Sequence, residues 1–121
     1  ARVVVDANDV PWDGNLPATV LVARKDFVDA NPELIEKIIT ANRQGIEFVN
    51  NNNDEAASIM VEMIKEITGE EIARDIMLKS MGRIKFTSDL DRVTLQEFAD
   101  LTVDLGFIES DSTLDSLYKT N

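Results

Sequence analysis

The stretch NPELIEKIITANRQGIEFVNNNNDEAASIMVEMIKEI, residues 31–67, decides most of the fold. Asn31 is a favoured N-cap residue and Pro32 suits the first position of a helix, so a helix is predicted to begin here. Asn53 is predicted to cap a second helix, because the two acidic residues after it suit a first helical turn. Apolar residues recur at spacings of three and four through both segments, which is the pattern of amphipathic helices. They are Leu34, Ile35, Ile38, Ile39, Ile46 and Val49, then Ala56, Ile59, Met60, Met63, Ile64 and Ile67.

Further helices are predicted on the C-terminal side of this pair. Thr68 and Glu71 have the spacing of a capping box, which predicts the start of a third helix. Ser88 or Asp89 is predicted to start a fourth helix, and Gly106 suits the left-handed position just after its end. Shorter helices are predicted at 24–30 and within 110–119.

Two short apolar runs near the N-terminus predict β-strands. Residues 3–5 (VVV) and 18–23 (ATVLVA) are continuously apolar or nearly so, which is typical of strands that are buried on both faces. The predicted fold class is therefore mostly α with two short β-strands, in a single domain that covers 1–121. Residues 1–23 form strand, loop and strand, and 24–121 are helical. Because an isolated pair of strands is marginal in water, these strands are predicted to need a larger sheet or a partner chain.

Composition excludes several classes of function. The 121 residues include no cysteine and no histidine, which excludes Cys–His and Ser–His–Asp catalysis and zinc sites built from those ligands. Because the sequence contains no recognisable nucleophile–base pair or metal cluster, it predicts neither an enzyme nor a bound cofactor or metal. The formal net charge of −11 argues against nucleic acid and against an anionic membrane surface as partners.

Five short motifs follow one another along the chain. They are ARVVVD at 1–6, RKDF at 24–27, NPEL at 31–34, NDEA at 53–56 and LGFI at 105–108. None of them is specific alone. The ordered set, which spans nearly the whole chain, resembles the C-terminal part of periplasmic substrate-binding proteins of ABC importers. The most similar group is the nitrate, sulfonate, taurine and thiamine-precursor type.

The resemblance implies both a fold and a function. It implies a C-terminal fragment of an α/β two-lobed periplasmic-binding-protein fold (type II), since whole proteins of this family are much longer. It implies transport: a solute-binding component that captures a small anionic or heteroaromatic solute and delivers it to an ABC permease. The implied location is periplasmic or extracellular, with lipid anchoring left open. The alternative is a small acidic helical protein-interaction module that is complete as it stands.

The loop at 6–15 is the candidate ligand region. Under the resemblance it lies near the cleft between the lobes, and Trp12, Asn15 and Thr19 are expected to bind the ligand. The structural alternative is a surface loop with one half-buried anchor, Trp12, which is the only tryptophan. A calcium loop of the EF-hand type is excluded, because Pro11 occupies the position that requires glycine.

Several other residues are better explained by structure than by function. Asn42 lies in the middle of the apolar stripe of the first helix, where a buried amide needs a hydrogen-bond partner. Arg24 and Lys25 come closest to an anion-binding pair, but they are predicted to begin a surface helix. For the four methionines Met60, Met63, Met77 and Met81, core packing is predicted over an adaptable docking surface, because all but Met81 fall on the apolar stripes.

The predicted strands lead to an expectation about assembly. Unpaired strand edges bind other edges, so the chain is expected to form a homodimer through residues 1–23. Salt should strengthen this dimer, because it screens the repulsion between two acidic chains. Solute binding by this chain alone is expected to be weaker than binding by a whole two-lobed protein, since half of the cleft would be missing.

Overall fold

The computed structural model describes residues 4, 5, 9, 11–109, 114 and 118. The regular elements within this part of the chain are all helical. They are a 3-10 helix at Pro11–Gly14 and the α-helices α1 (Lys25–Ala30), α2 (Pro32–Asn51), α3 (Asn53–Thr68), α4 (Arg74–Met81) and α5 (Arg92–Asp104).

The prediction of two short β-strands in an α/β fold is wrong. The described residues contain no strand. Val4 and Val5 form a bend, and residues 19–22 are irregular with exposed side chains; Val3 lies outside the described residues. A β-branched run becomes a strand only where a second strand completes its hydrogen-bond ladder, and the described part of the chain offers none. The homodimer predicted through strand pairing therefore loses its physical basis.

The chain divides into two compact units. The first comprises Ala1–Val20 and Leu90–Asn121, and the second comprises Leu21–Asp89. The single domain at 1–121, and its place in a longer protein, stay predictions.

In the second unit, one asparagine joins each pair of consecutive helices from α1 to α3. Asn31 and Asn52 have nearly equal backbone angles, with φ −133° and −132° and ψ 50° in both. Each side-chain amide donates from Nδ2 to the carbonyl oxygen four residues earlier, on Phe27 at 3.0 Å and on Phe48 at 3.1 Å. The carbonyl oxygen of each asparagine accepts the first hydrogen bond of the following helix. Asn31 is thus the N-cap of α2 as predicted, but its side chain closes the preceding helix.

The core of the second unit lies where α4 packs against α3. Ala56, Ala57 and Met81 are buried there, with exposed fractions of 2%, 0% and 3%. The two alanines lack long side chains, so α4 can lie close to the backbone of α3 and place Met81 against it. The partly buried residues that surround this group are Val49, Met60, Met77, Leu78 and Phe86.

The predicted apolar stripes match this core only in part. Core packing is confirmed for Met60, Met77 and Met81, but Met63 is half-exposed. Asn42 is exposed rather than buried. Among the described elements, those that contact α2 most are α1 and α3, the helices that precede and follow it.

The helix α4 begins later than the predicted capping box. Its N-cap is Ala73, which has no side chain that can cap. Thr68 instead ends α3, where its hydroxyl donates to the carbonyl oxygen of Ile64 at 2.8 Å. Glu71 pairs with Lys65 at 2.5 Å. Both members of the predicted capping box therefore stabilise the end of α3.

Arg74 connects the start of α4 to the start of α3 by hydrogen bonds. Its Nη2 donates to the backbone oxygen of Asp54 at 3.0 Å and to the carboxylate of the same residue. Its Nε donates to Oγ of Ser58 at 3.0 Å. These bonds hold the two helices together beside the alanine core.

In the first unit, α5 has a side-chain cap at its start and a glycine ending. Asp91 is the N-cap and accepts hydrogen bonds from the backbone N–H and the hydroxyl of Thr94, at 3.1 and 3.0 Å. The helix therefore begins slightly later than predicted. Gly106 has φ 74°, and the N–H of Phe107 donates to the carbonyl oxygen of Thr102 at 2.9 Å. This is the predicted left-handed ending, in the form of a Schellman motif.

Candidate functional site

The candidate site is built on the short turn Pro11–Gly14. Pro11 has a ring-fixed φ, and Gly14 adopts a φ of 72° that favours glycine. Trp12 has a φ of 66° and is the only non-glycine residue in the described part of the chain with a positive φ. The N–H of Asn15 donates to the carbonyl oxygen of Trp12 at 2.9 Å and closes the turn. A left-handed conformation costs such a residue about 1–2 kcal/mol, so other contacts must hold Trp12 there.

Trp12 makes those contacts with α5. Its indole Nε1 donates to Oε2 of Glu97 at 2.8 Å. Its ring meets the ring of Phe98 edge-to-face, with the centroids 6.0 Å apart and the planes at 78°. An aromatic pair of this geometry contributes about 0.5–1.5 kcal/mol and a hydrogen bond to a charged group about 1.5–3 kcal/mol, which together offset the backbone strain.

The other two predicted ligand residues are placed differently. Asn15 takes part in the turn through its backbone, and its side chain is exposed. Thr19 is exposed in an irregular segment, and no hydrogen bond of its side chain to another described residue is recorded. The structure thus brings Trp12 and Asn15 together in one turn. It records no contact that joins Thr19 to them within the described part of the chain.

Glu97 and Phe98 belong to the site although the sequence did not indicate them. Each is more than 80 positions away from Trp12, at a separation of 85 residues for the hydrogen-bonded pair. A contact over this distance leaves no periodic or spacing signal, so the sequence of one chain alone does not reveal it.

The charged residues in the described part of the first unit are mostly acidic. Among the described residues of the first unit, Arg92 is the only basic residue, and its guanidinium lies 4.4 Å from the centre of the Tyr118 ring. Gln96 donates to the carboxylate of Asp100 at 2.8 Å and accepts from the backbone N–H of Leu114 at 2.9 Å. The described part of this unit thus contains more acidic than basic side chains.

The basic pair at the start of α1, Arg24 and Lys25, does not form an anion site. Arg24 pairs with Asp26 at 3.1 Å, and Lys25 pairs with Asp29 at 2.7 Å. Arg24 is the N-cap of α1 and Lys25 is its first residue. This confirms the prediction that the pair begins a surface helix.

The described residues contain no group of three or more acidic side chains arranged to hold a metal ion. None of their helices is both long enough and apolar enough to cross a bilayer.

Comparison with known proteins gives one finding. Residues 2–56, somewhat less than half of the chain, match the family model described as NMT1/THI5 like. The match covers the turn that carries Trp12, the helices α1 and α2, and the start of α3. Over this region it supports a relationship to the substrate-binding proteins of ABC importers. No curated protein and no solved structure matches the chain.

Proposed function

We propose that this chain is part of the solute-binding component of an ABC importer. In this role it captures a small solute for a membrane permease and catalyses no reaction. The observation that carries the proposal is the match over residues 2–56 to a family that suggests solute binding in ABC transport. The one short motif beyond this region, LGFI at 105–108, supports the same assignment.

We further propose that Trp12 contacts the solute, with Asn15 and Thr19 beside it in sequence. Trp12 is half-buried and held on α5 by its bond to Glu97, so its ring is fixed before a solute arrives. The side chains of Asn15 and Thr19 are exposed and can offer hydrogen bonds. The resemblance suggests an anionic or heteroaromatic solute and a periplasmic or extracellular location.

An uptake experiment tests this function directly. The gene that encodes the chain is deleted, and import of nitrate, taurine, an alkyl sulfonate, an aminopyrimidine and an alkylammonium ion is measured with labelled solutes. We expect import of one solute to fall and to return when the gene is supplied on a plasmid. Cell fractionation of the complemented strain tests the proposed location.

Two plasmid variants separate binding from folding. Trp12→Ala should restore import poorly, because the ring that contacts the solute is lost. Phe48→Ala changes an aromatic residue of α2, in the other unit, and should restore import if the protein accumulates normally. Unchanged import of every solute in the deletion strain would contradict the proposed function.

The second candidate is a small acidic helical protein-interaction module. It is favoured by large apolar side chains that lie exposed along α3, where Ile59, Met63 and Ile67 have exposed fractions of 49%, 50% and 74%. Exposed apolar patches of this kind often mark protein interfaces. Under this function the deletion leaves solute import intact, and purification of the tagged protein from its own cells recovers a stoichiometric protein partner.

A further inference from the structure

We propose that Glu97, Trp12 and Phe98 form a site for the ammonium group of a small organic cation, with Glu97 as the residue that determines specificity. This inference rests on the proposed solute-binding function and names a solute class for it. It departs from the anionic class that the resemblance allows.

The first argument is the state of the Glu97 carboxylate. Trp12 donates its indole N–H to Oε2 at 2.8 Å, and no other described residue is recorded as a partner of this carboxylate. A carboxylate has about four acceptor positions, and the indole occupies one of them. Because the side chain is exposed, the remaining positions are open to an N–H donor from solution. The indole therefore positions the carboxylate without neutralising it.

The second argument is the aromatic surface next to this charge. Trp12 and Phe98 pack edge-to-face, an arrangement that leaves aromatic surface outside their mutual contact. The face of an aromatic ring attracts cations, and tryptophan does so most strongly. A carboxylate beside such a surface suits a group that is positive and partly apolar, which is the chemistry of an alkylammonium ion.

The third argument is the absence of a competing cation among the described residues of this unit. Arg92 is the only basic residue there, and its guanidinium lies over the ring of Tyr118. It also lies five positions before Glu97 on α5, which puts the two side chains about 140° apart around the helix. An anion at Trp12 would face the Glu97 carboxylate with no described positive side chain to balance it.

The fourth argument is the backbone of Trp12. Its φ of 66° is a conformation that bulky residues rarely adopt. Strained residues persist where the surroundings hold them, and they cluster at ligand sites. Here the left-handed conformation of Trp12 places its indole N–H on the Glu97 carboxylate, and this bond fixes the distance between the ring and the negative charge.

The experiment uses the fluorescence of Trp12, which reports on the site directly because the chain has no other tryptophan. The 121-residue chain is titrated with benzylammonium, benzoate and benzyl alcohol, which share a ring and differ in charge. Ionic strength is held constant with sodium chloride. We expect a saturable change with benzylammonium alone. The affinity should be modest, since the site is open to solvent and buries little of the ligand.

Two variants with the same change in charge provide the control. Glu97→Gln should weaken benzylammonium binding by about tenfold, because it removes a charge-assisted interaction. Glu109→Gln, in the same unit, should bind as the wild type does. Circular dichroism checks that both variants fold, and the NMR signal of the Trp12 indole N–H shows whether the ligand reaches the same site. Phe98→Leu gives an independent test of the aromatic surface and should also weaken binding.

The outcomes separate this inference from the proposed function. Saturable binding of benzoate in place of benzylammonium would overturn the cation site and leave solute binding standing. Equal binding of benzylammonium by the wild type and by Glu97→Gln would also overturn it, as would no binding of any of the three compounds. The uptake experiment decides the proposed function in each case, because it does not depend on these ligands.

Discussion

The carbonyl oxygens of Phe27 and Phe48 each accept two hydrogen bonds from the asparagine four residues later. One comes from the backbone N–H, and the other comes from the side-chain amide. Asn31 and Asn52 therefore satisfy a carbonyl oxygen at the end of one helix while their own backbone starts the next. The same pattern, F-V-x-x-N, occurs at both places in the sequence. A single residue can make this connection because its amide supplies the bond that a longer loop would supply.

We predict that Asn52→Ala lowers the free energy of unfolding by about 1 kcal/mol, because it removes the donor to Phe48. Asn51→Ala is the matched control, since the structure records no side-chain hydrogen bond of Asn51, and it should change stability by less than about 0.5 kcal/mol. Thermal and urea unfolding followed by circular dichroism measure both. Asn52→Asp keeps a capping oxygen but loses the donor, so stability equal to the wild type in that variant would refute the role of the donor.

The residues of the candidate site were predictable only where local chemistry identified them. Trp12 is recognisable in the sequence because it is the only tryptophan and lies in the turn sequence PWDG at 11–14. Glu97 has no such signal, because an exposed glutamate on an amphipathic helix is ordinary. Its role depends on a turn 85 residues away, and that proximity is a property of the folded chain.

At the scale of elements, helices were predictable and strands were not. A helix satisfies its hydrogen bonds within one segment, so the apolar spacing and the caps of α2, α3 and α5 were enough to predict them. A strand needs a second segment, and the apolar run at 18–23 carries no information about whether one is present.

Helix starts were predicted less accurately than helix ends. Gly69 and Gly106 mark left-handed endings that few other residues adopt, whereas several polar residues compete for each start.

The contact between α3 and α4 depends on Met81. We predict that Met81→Ala lowers the free energy of unfolding by about 2–4 kcal/mol, because a side chain that is 3% exposed leaves a cavity against Ala56 and Ala57. Met63→Ala makes the same chemical change at a position that is 50% exposed, and it should cost less than about 1 kcal/mol. Urea unfolding of the two variants gives the comparison. Equal losses would show that the core lies elsewhere.

Substitution by alanine should change the stability of the chain in opposite directions at two glycines. Gly106 has φ 74°, so Gly106→Ala forces alanine into a left-handed conformation and should destabilise the chain by about 1 kcal/mol. Gly45 lies inside α2, and a Cβ there would meet nothing within 4 Å. Gly45→Ala should stabilise the chain by about 0.5–1 kcal/mol, because alanine favours the helix. Melting temperatures measure both changes, and a fall with Gly45→Ala would mean that the middle of α2 is not helical in solution.

At the scale of the whole molecule, the described part of the chain has more exposed large apolar side chains than buried ones. The described residues bury four apolar side chains, Ile35 and the three of the α3–α4 core. Apolar side chains that remain more than half exposed occur in both units. Within the helices and the loops after them, they include Ile67, Ile76, Ile84, Val93, Leu105 and Phe107. Surfaces of this kind bind apolar dyes and apolar partners.

We predict that the folded chain binds the dye anilinonaphthalene sulfonate before any unfolding begins. Ile67→Ser and Ile76→Ser together should lower the dye fluorescence, because they remove exposed apolar surface from α3 and α4. The paired variant Ile67→Val and Ile76→Val should keep most of it. Dye titrations in buffer without denaturant provide the measurement, and no fluorescence from the wild type would contradict the exposure described above.

The two asparagine junctions should also age differently. Deamidation begins when the backbone nitrogen of the next residue attacks the side-chain carbonyl carbon. After Asn31 that nitrogen belongs to Pro32, which has no N–H to lose. After Asn52 it belongs to Asn53, whose N–H lies in the first turn of α3 and has no partner within that helix. On long incubation at mildly alkaline pH, peptide mass spectrometry should therefore find aspartate or isoaspartate at position 52 and intact asparagine at position 31. Each such event removes the donor to Phe48, so stored protein should lose stability at the α2–α3 junction while the α1–α2 junction stays intact.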